Sequence, residues 1–173
     1  MIKICLRGAV SIALLLGASA AFAQDQALPD GMTVENGKYF DKDGNPTYYI
    51  QGDGTVDWYT YSGFRRYHSE CHVCHGPDGL GSSYAPNLTE SLKRLDYTQF
   101  MEVVVNGRKV VGGGKESVMP SFGDNQNVMC YIDDIYDYLK ARSDDKLGRG
   151  RPMKREEKPA QAKTDEDACF GRS

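Results

Sequence analysis

The chain has 173 residues, 40% of them hydrophobic and 26% charged, which is enough for one compact domain with extensions. Lysine and arginine number 21 against 24 aspartate and glutamate, a formal net charge of −3. That acidic balance argues against a nucleic-acid binder and points to partners with a complementary basic patch.

The N-terminus has the three parts of a secretory signal peptide. Lys3 and Arg7 form a positive start, residues 9–20 an apolar run, and Ala21-Phe22-Ala23 an A-x-A cleavage site. The run is too short to span a bilayer comfortably, which disfavours a membrane anchor. Cleavage after Ala23 removes two of the 21 basic residues and leaves 19 against 24 acidic ones, a net charge of −5. No later segment approaches membrane-spanning length, so the mature chain is expected in the periplasm without a membrane span. Cys5 leaves with the signal.

Residues 24–32 read as a flexible leader. Lys38-Tyr39-Phe40 and Thr47-Tyr48-Tyr49-Ile50 are β-prone runs around a turn-rich cluster, and predict a short hairpin. Asp41, Asp43 and Asn45 have some of the spacing of a calcium loop, but Gly44 and Gly52 stand where such a loop needs other residues, so an ordinary turn is the reading adopted. Asp57 can cap a helix from Trp58 towards Cys71, with Trp58, Tyr61, Phe64 and His68 on one face. Gly63 is costly inside a helix unless another backbone crosses there.

Cys71-His72-Val73-Cys74-His75 is C-x-x-C-H, the attachment signature of c-type haem. Two thiols at this spacing can add to the two haem vinyl groups, and the histidine that follows can reach the iron from the same side. A zinc site would need a second close Cys/His pair, and a thioredoxin-like site a βαβ pattern; neither is present. One covalent haem c is therefore the predicted cofactor. The glycines and prolines of residues 76–86 predict a loop over a haem edge. Residues 88–95 have room for one helical turn.

Asp96-Tyr97-Thr98-Gln99 has the form of a capping box, starting a helix that Asn106-Gly107 ends. Residues 109–117, with Gly112-Gly113-Gly114, read as a mobile loop. After Ser117-Val118-Met119-Pro120-Ser121-Phe122-Gly123 a final helix is predicted over residues 125–141, with Val128, Ile132, Ile135 and Leu139 as its apolar stripe. From Ser143 on, charged and small residues without periodicity predict a tail with no core of its own. Cys130 and Cys169 remain after haem attachment and most simply pair with each other in an exported protein; the alternative is two free thiols.

For the second axial ligand the candidates are methionine, histidine and vacancy. Met119, 44 residues after His75 and followed by the stiffening Pro120, is the methionine chosen. Met101, Met129 and Met153 read as packing residues. His68 and His72 are too near the attachment site to fold to the far face of the porphyrin. Histidine–methionine ligation raises the potential relative to bis-histidine and leaves no free coordination position, so the metal residues are His75 and Met119, and no catalytic residue is expected.

The pattern resembles the class I cytochromes c. Gly63 and Tyr67 stand where that family's first helix has a glycine and an aromatic. Met119-Pro120-Ser121-Phe122-Gly123 is similar to its distal segment, and Tyr138-Leu139 to the aromatic–leucine pair of its last helix. The resemblance implies that the carbonyl of Pro86 orients the His75 imidazole. It also implies an all-α class I cytochrome c fold, here with a β-hairpin-like N-terminal extension (24–56), a haem domain (57–142) and an irregular charged tail (143–173) tied by Cys130–Cys169. Residues 44–48, 55–68 and 127–131 resemble, more narrowly, the "methanol metabolism-related" four-cysteine periplasmic cytochromes c. That resemblance implies a non-enzymatic electron carrier. Its donor would be a periplasmic pyrroloquinoline-quinone alcohol (methanol) dehydrogenase, and its acceptor another cytochrome or a terminal oxidase. Two alternatives stay open: a haem subunit held in a stable dehydrogenase complex, and a small haem sensor or enzyme with a labile distal ligand.

Overall fold

The computed structural model describes residues 27–112 and 115–172; the expected signal peptide lies outside them. Helix α1 (Trp58–Glu70) and helix α6 (Ile132–Ser143) form the central crossing. Helix α1 starts where Asp57 caps it: the carboxylate accepts from the backbone N–H of Thr60 at 2.8 Å and from that of Tyr49 at 2.8 Å. Its rings at Trp58, Tyr61, Phe64 and His68 follow one another along the helix, with centroids 5.9, 6.3 and 4.3 Å apart. At Gly63 the two helices touch backbone to backbone. A Cβ there would lie 1.7 Å from the carbonyl oxygen of Asp134. Gly63→Ala must push the crossing apart, and is expected to cost roughly 3 kcal/mol in denaturant unfolding, the upper part of the range for overpacking a core. An unchanged midpoint would show that the helices do not meet there.

The apolar stripe of the last helical region is buried as its spacing predicts: Val128, Ile132, Ile135 and Leu139 are 1, 5, 2 and 1% exposed. The expected single helix is, however, two. Helix α5 (Gln126–Met129) ends at Cys130, and Tyr131 leaves helical geometry at φ −135°, ψ 18° before α6 begins. The N–H of Tyr131 bonds back to Val128 at 3.0 Å, a tightened turn, and its ring sits 3.5 Å from the Arg66 guanidinium. Helix α4 (Tyr97–Asn106) has the complete capping box of Asp96 and Gln99, and α3 (Leu88–Ser91) is the short turn after the proximal loop.

The N-terminal extension is a three-stranded antiparallel sheet, β1 (Thr33–Glu35), β2 (Lys38–Phe40) and β3 (Pro46–Thr47), one strand more than the predicted hairpin. Asn36 and Gly37, at φ 52° and 81°, make the two-residue turn between β1 and β2. In the second turn Asp41 accepts from the N–H groups of Asp43 and Asn45, both at 2.9 Å, so its carboxylate serves the turn itself. Lys38 ties this sheet to α6 through an ion pair with Asp133.

Two segments depart from the expected irregularity. The described residues on either side of positions 113–114, expected as loop, are paired strands, β4 (Arg108–Gly112) and β5 (Lys115–Met119), in register from Arg108↔Met119 to Gly112↔Lys115. The β-branched Val110, Val111 and Val118 favour these strands. The tail likewise has structure. It pairs with Val56 through bonds from Val56 N–H to Lys154 O (3.2 Å) and from Glu156 N–H to Val56 O (2.9 Å), and then forms helix α7 (Ala160–Cys169). Only Ala162, 3% exposed, is buried on α7, against the Val56–Trp58–Tyr59–Tyr61 cluster. Cys130 and Cys169 are joined by a disulfide. The tail thus borrows the aromatic surface of α1 in place of a core of its own.

Candidate haem site

The site is built at the end of α1. Cys71 is its C-cap, with its N–H bonded to Tyr67 O at 2.9 Å, and a short second helix, α2 (His72–His75), follows. Within that turn Cys71 and Cys74 are three residues apart and share one side. His75 is 6% exposed. Its Nδ1 lies 3.0 Å from the carbonyl oxygen of Pro86, which can only accept, so Nδ1 carries the proton. The lone pair is then on Nε2, the nitrogen free to bind a metal.

The proximal loop is tied down residue by residue. The Tyr67 hydroxyl donates to Gly76 O at 2.5 Å, Gly81 N–H to His75 O at 2.7 Å, and Ser82 Oγ to Cys74 O. Gly76 sits at φ 72°, and a Cβ on it would lie 2.4 Å from Gly81 O, so the loop needs glycine there. Asp78 takes left-handed geometry (φ 63°) and is 5% exposed. Its carboxylate accepts from Gly150 N–H at 2.8 Å and from Arg149 Nε at 3.2 Å. Burial opposes its ionisation, but these donors and Arg142 outweigh burial and hold its pKa below the ordinary value. Asp78 was not singled out from the sequence, although Pro77-Asp78-Gly79 is a turn signal.

Met119 comes from the other side of the chain. It ends β5 and packs, partly buried, against the same core cluster as Cys71. Its segment is fixed to α4: Ser121 Oγ donates to Val105 O at 2.5 Å, Phe122 N–H to Val104 O at 3.0 Å, and Gly123 N–H to Val105 O at 3.1 Å. Gly107 lets the strand pass, since a Cβ there would be 2.6 Å from Met119 O. Of the other methionines, Met101 and Met129 pack on that cluster too, and Met153 is 92% exposed. His68 gives its Nδ1 to Phe64 O at 2.8 Å.

The donor set can be tested against the two readings of C-x-x-C. Burial pushes the Cys71 thiol up to about 12, the opposite of a reactive dithiol, whose attacking cysteine is acidified. Two thiols one turn apart, beside a buried imidazole whose remaining nitrogen is a free ligand, fit haem c.

The chain is similar to known proteins. The family model described as cytochrome c oxidase, cbb3-type, subunit III matches residues 60–139. Cytochrome c-553I of Paracoccus denitrificans is 49% identical over 148 residues, 83% of this chain and 66% of that protein, so the match spans just under two thirds of the relative. Cytochrome c-555 of Methylococcus capsulatus (Bath) is 45% identical over 96 residues, 55% of this chain and 72% of its own. The crystal structure of the c-type cytochrome XoxG from Methylobacterium extorquens AM1 superposes with a TM-score of 0.73 at 57% identity, covering 79% of this chain and 84% of that one. The attachment turn, the crossing at Gly63 and these relatives together place the chain in the class I c-type cytochromes, which carry covalent haem c.

Proposed function

We propose that this cytochrome is an exported, periplasmic monohaem carrier that passes single electrons from a pyrroloquinoline-quinone alcohol (methanol) dehydrogenase to another cytochrome or a terminal oxidase. The hydrogen bond from His75 Nδ1 to Pro86 O carries the reading, because it commits the buried imidazole to ligation through Nε2. Cys71 and Cys74 would hold the haem by thioethers, and His75 and Met119 would be the axial ligands. The haem supplies a one-electron iron couple. The chain's own residues fix the orientation of the His75 ring, and with His75 and Met119 both bound to the iron no place would remain on it for a substrate. Residues 57–142 would be the haem domain, with residues 24–56 and 143–173 laid over it. The resemblance of residues 44–48, 55–68 and 127–131 to the methanol-related cytochromes supports the choice of donor.

Stopped-flow mixing of the oxidised protein with a pyrroloquinoline-quinone methanol dehydrogenase and methanol tests the donor. Reduction of the haem within the mixing experiment is expected, and no reduction would remove that donor. In the same preparation the weak red-region band of sulfur–iron charge transfer should be present, and Met119→Ala should abolish it while Cys71 and Cys74 keep the haem on the chain. An unchanged band would mean another distal ligand.

A further inference from the structure

The mature chain is acidic overall, yet residues 149–155 contain Arg149, Arg151, Lys154 and Arg155 and no acidic residue. All four are exposed, as is Met153 at 92%. This segment is not a loose tail. At one end Arg149 and Gly150 bind the Asp78 carboxylate, three residues beyond His75 in the proximal loop. At the other end Val56 bonds to Lys154 O and to the N–H of Glu156. Between them Arg151 donates to the Tyr61 hydroxyl at 2.5 Å, and Arg155 lies over the rings of Tyr61 and Trp58 at 4.7 and 5.9 Å. Lys154 is also ion-paired with Asp53 at 3.1 Å, so the cations are held in fixed positions along α1, from Arg149 at the proximal loop to Arg155 beside Trp58.

We propose that this basic strap, with Met153 at its centre, is a docking surface for an acidic patch on the protein redox partner. The proposal rests on the electron-carrier reading and concerns where a partner binds, whichever dehydrogenase the donor is. An exposed apolar side chain flanked along the chain by arginine and lysine has the composition of a protein interface: a small apolar centre within a charged rim. Its Arg149 end, bound to Asp78, reaches the haem attachment loop, which a redox partner must approach and a lipid surface need not. The strap inverts the expectation from net charge, because a partner close to the surface meets the local field before the distant charges, which salt screens.

The test uses haem-loaded full-length protein and a small acidic flavodoxin in its hydroquinone form as donor. One electron passes to the ferric haem and leaves the flavin semiquinone. For wild type the second-order rate constant should fall as salt is raised, although both proteins are net acidic. Met153→Glu/Lys154→Glu should lower that constant about tenfold at low ionic strength and flatten its salt dependence. Lys42→Glu, an exposed reversal outside the strap, should change it little. Voltammetry should return the same potential for all three, which separates docking from damage at the iron. Equal rates for wild type and the double variant at low salt would overturn the proposal. So would a loss confined to sedimentation with phosphatidylglycerol vesicles, which would assign the strap to a lipid surface. A wild-type protein that flavodoxin cannot reduce at all would strike the carrier reading itself, and this proposal with it.

Discussion

Between pH 4 and pH 7 the haem-loaded protein is expected to lose several kcal/mol of unfolding stability as the pH rises, and Asp134→Asn is expected to remove much of that loss. Three aspartates, Asp57, Asp134 and Asp137, are 1, 6 and 0% exposed where α1, α6 and the N-terminal sheet meet. Burial, the largest effect at each, pushes Asp57 from 3.8 to about 6 and Asp134 from 3.8 to about 7. At Asp57 the bonds from Thr60 and Tyr49 oppose burial, and at Asp134 a bond from Ser62 and the charge of Lys38 do so, without reversing it. Asp137, whose carboxyl oxygens make no hydrogen bond within the described residues, is raised by burial and by the charges of Asp57 and Asp134. The native state therefore holds protons that the unfolded chain has already released above its ordinary carboxylate pKa. Stability from these groups is complete below that value and is lost as the pH climbs through the folded values. For Asp134 alone the shift corresponds to on the order of 4 kcal/mol. Asparagine keeps the shape and an acceptor for Ser62 but cannot ionise, so the slope of unfolding free energy against pH should flatten by about one proton. Denaturant unfolding at several pH values reads this directly. A flat wild-type profile over the window, or an Asp134→Asn profile with the wild-type slope, would show that these acids are hydrated in the native protein.

The sequence made the central crossing legible because each part of it has a local chemical signature. Asp57 and Asp96 announce their helices as caps, the apolar stripe from Val128 to Leu139 shows the period of a buried helix, and Gly63 is a residue only a close crossing explains. The attachment turn is legible for the same reason: C-x-x-C-H is short and contiguous. Features that depend on distant partners were not visible. Tyr67 reaching Gly76 and Asp78 receiving the tail at Gly150 join segments whose proximity is a property of the fold. The tail misleads most. Its lack of periodicity is real, since α7 buries little beyond Ala162, but structure comes to it from Val56, from the rings of Trp58 and Tyr61, and from a covalent bond. The first turn of the sheet is a different kind of omission. Asn36-Gly37 is the strongest two-residue hairpin signal there is, and reading it would have added β1 to the predicted hairpin.

Breaking the disulfide is expected to release α7 while leaving the strap before it in place. Cys130 and Cys169 are separated by 39 residues, and closing a loop of that length contributes roughly 3–4 kcal/mol in the chain-entropy account. The two halves of the tail depend on it unequally. Residues 149–156 are also held by Asp78, by two backbone bonds to Val56 and by the rings of Tyr61 and Trp58. Helix α7 has Ala162, the Lys158–Glu166 and Lys163–Asp167 ion pairs and the bond itself, and exposed ion pairs contribute little. At ten residues it is also too short to be stable alone. In Cys130→Ser/Cys169→Ser, limited trypsin digestion should therefore cut first after Lys163, at least tenfold faster than in the oxidised wild type, with Lys154 and Arg155 cut later; Arg151 and Lys158 precede prolines and resist trypsin in either form. Reductant should give wild type the same pattern. The haem spectrum should stay unchanged, because neither cysteine touches the attachment turn or the Met119 segment. Mass spectrometry of early fragments decides the matter. Equal cutting with and without the bond would show that the packing on α1 holds the helix unaided, and first cuts at Lys154 or Arg155 would show that the strap, too, hangs on the disulfide.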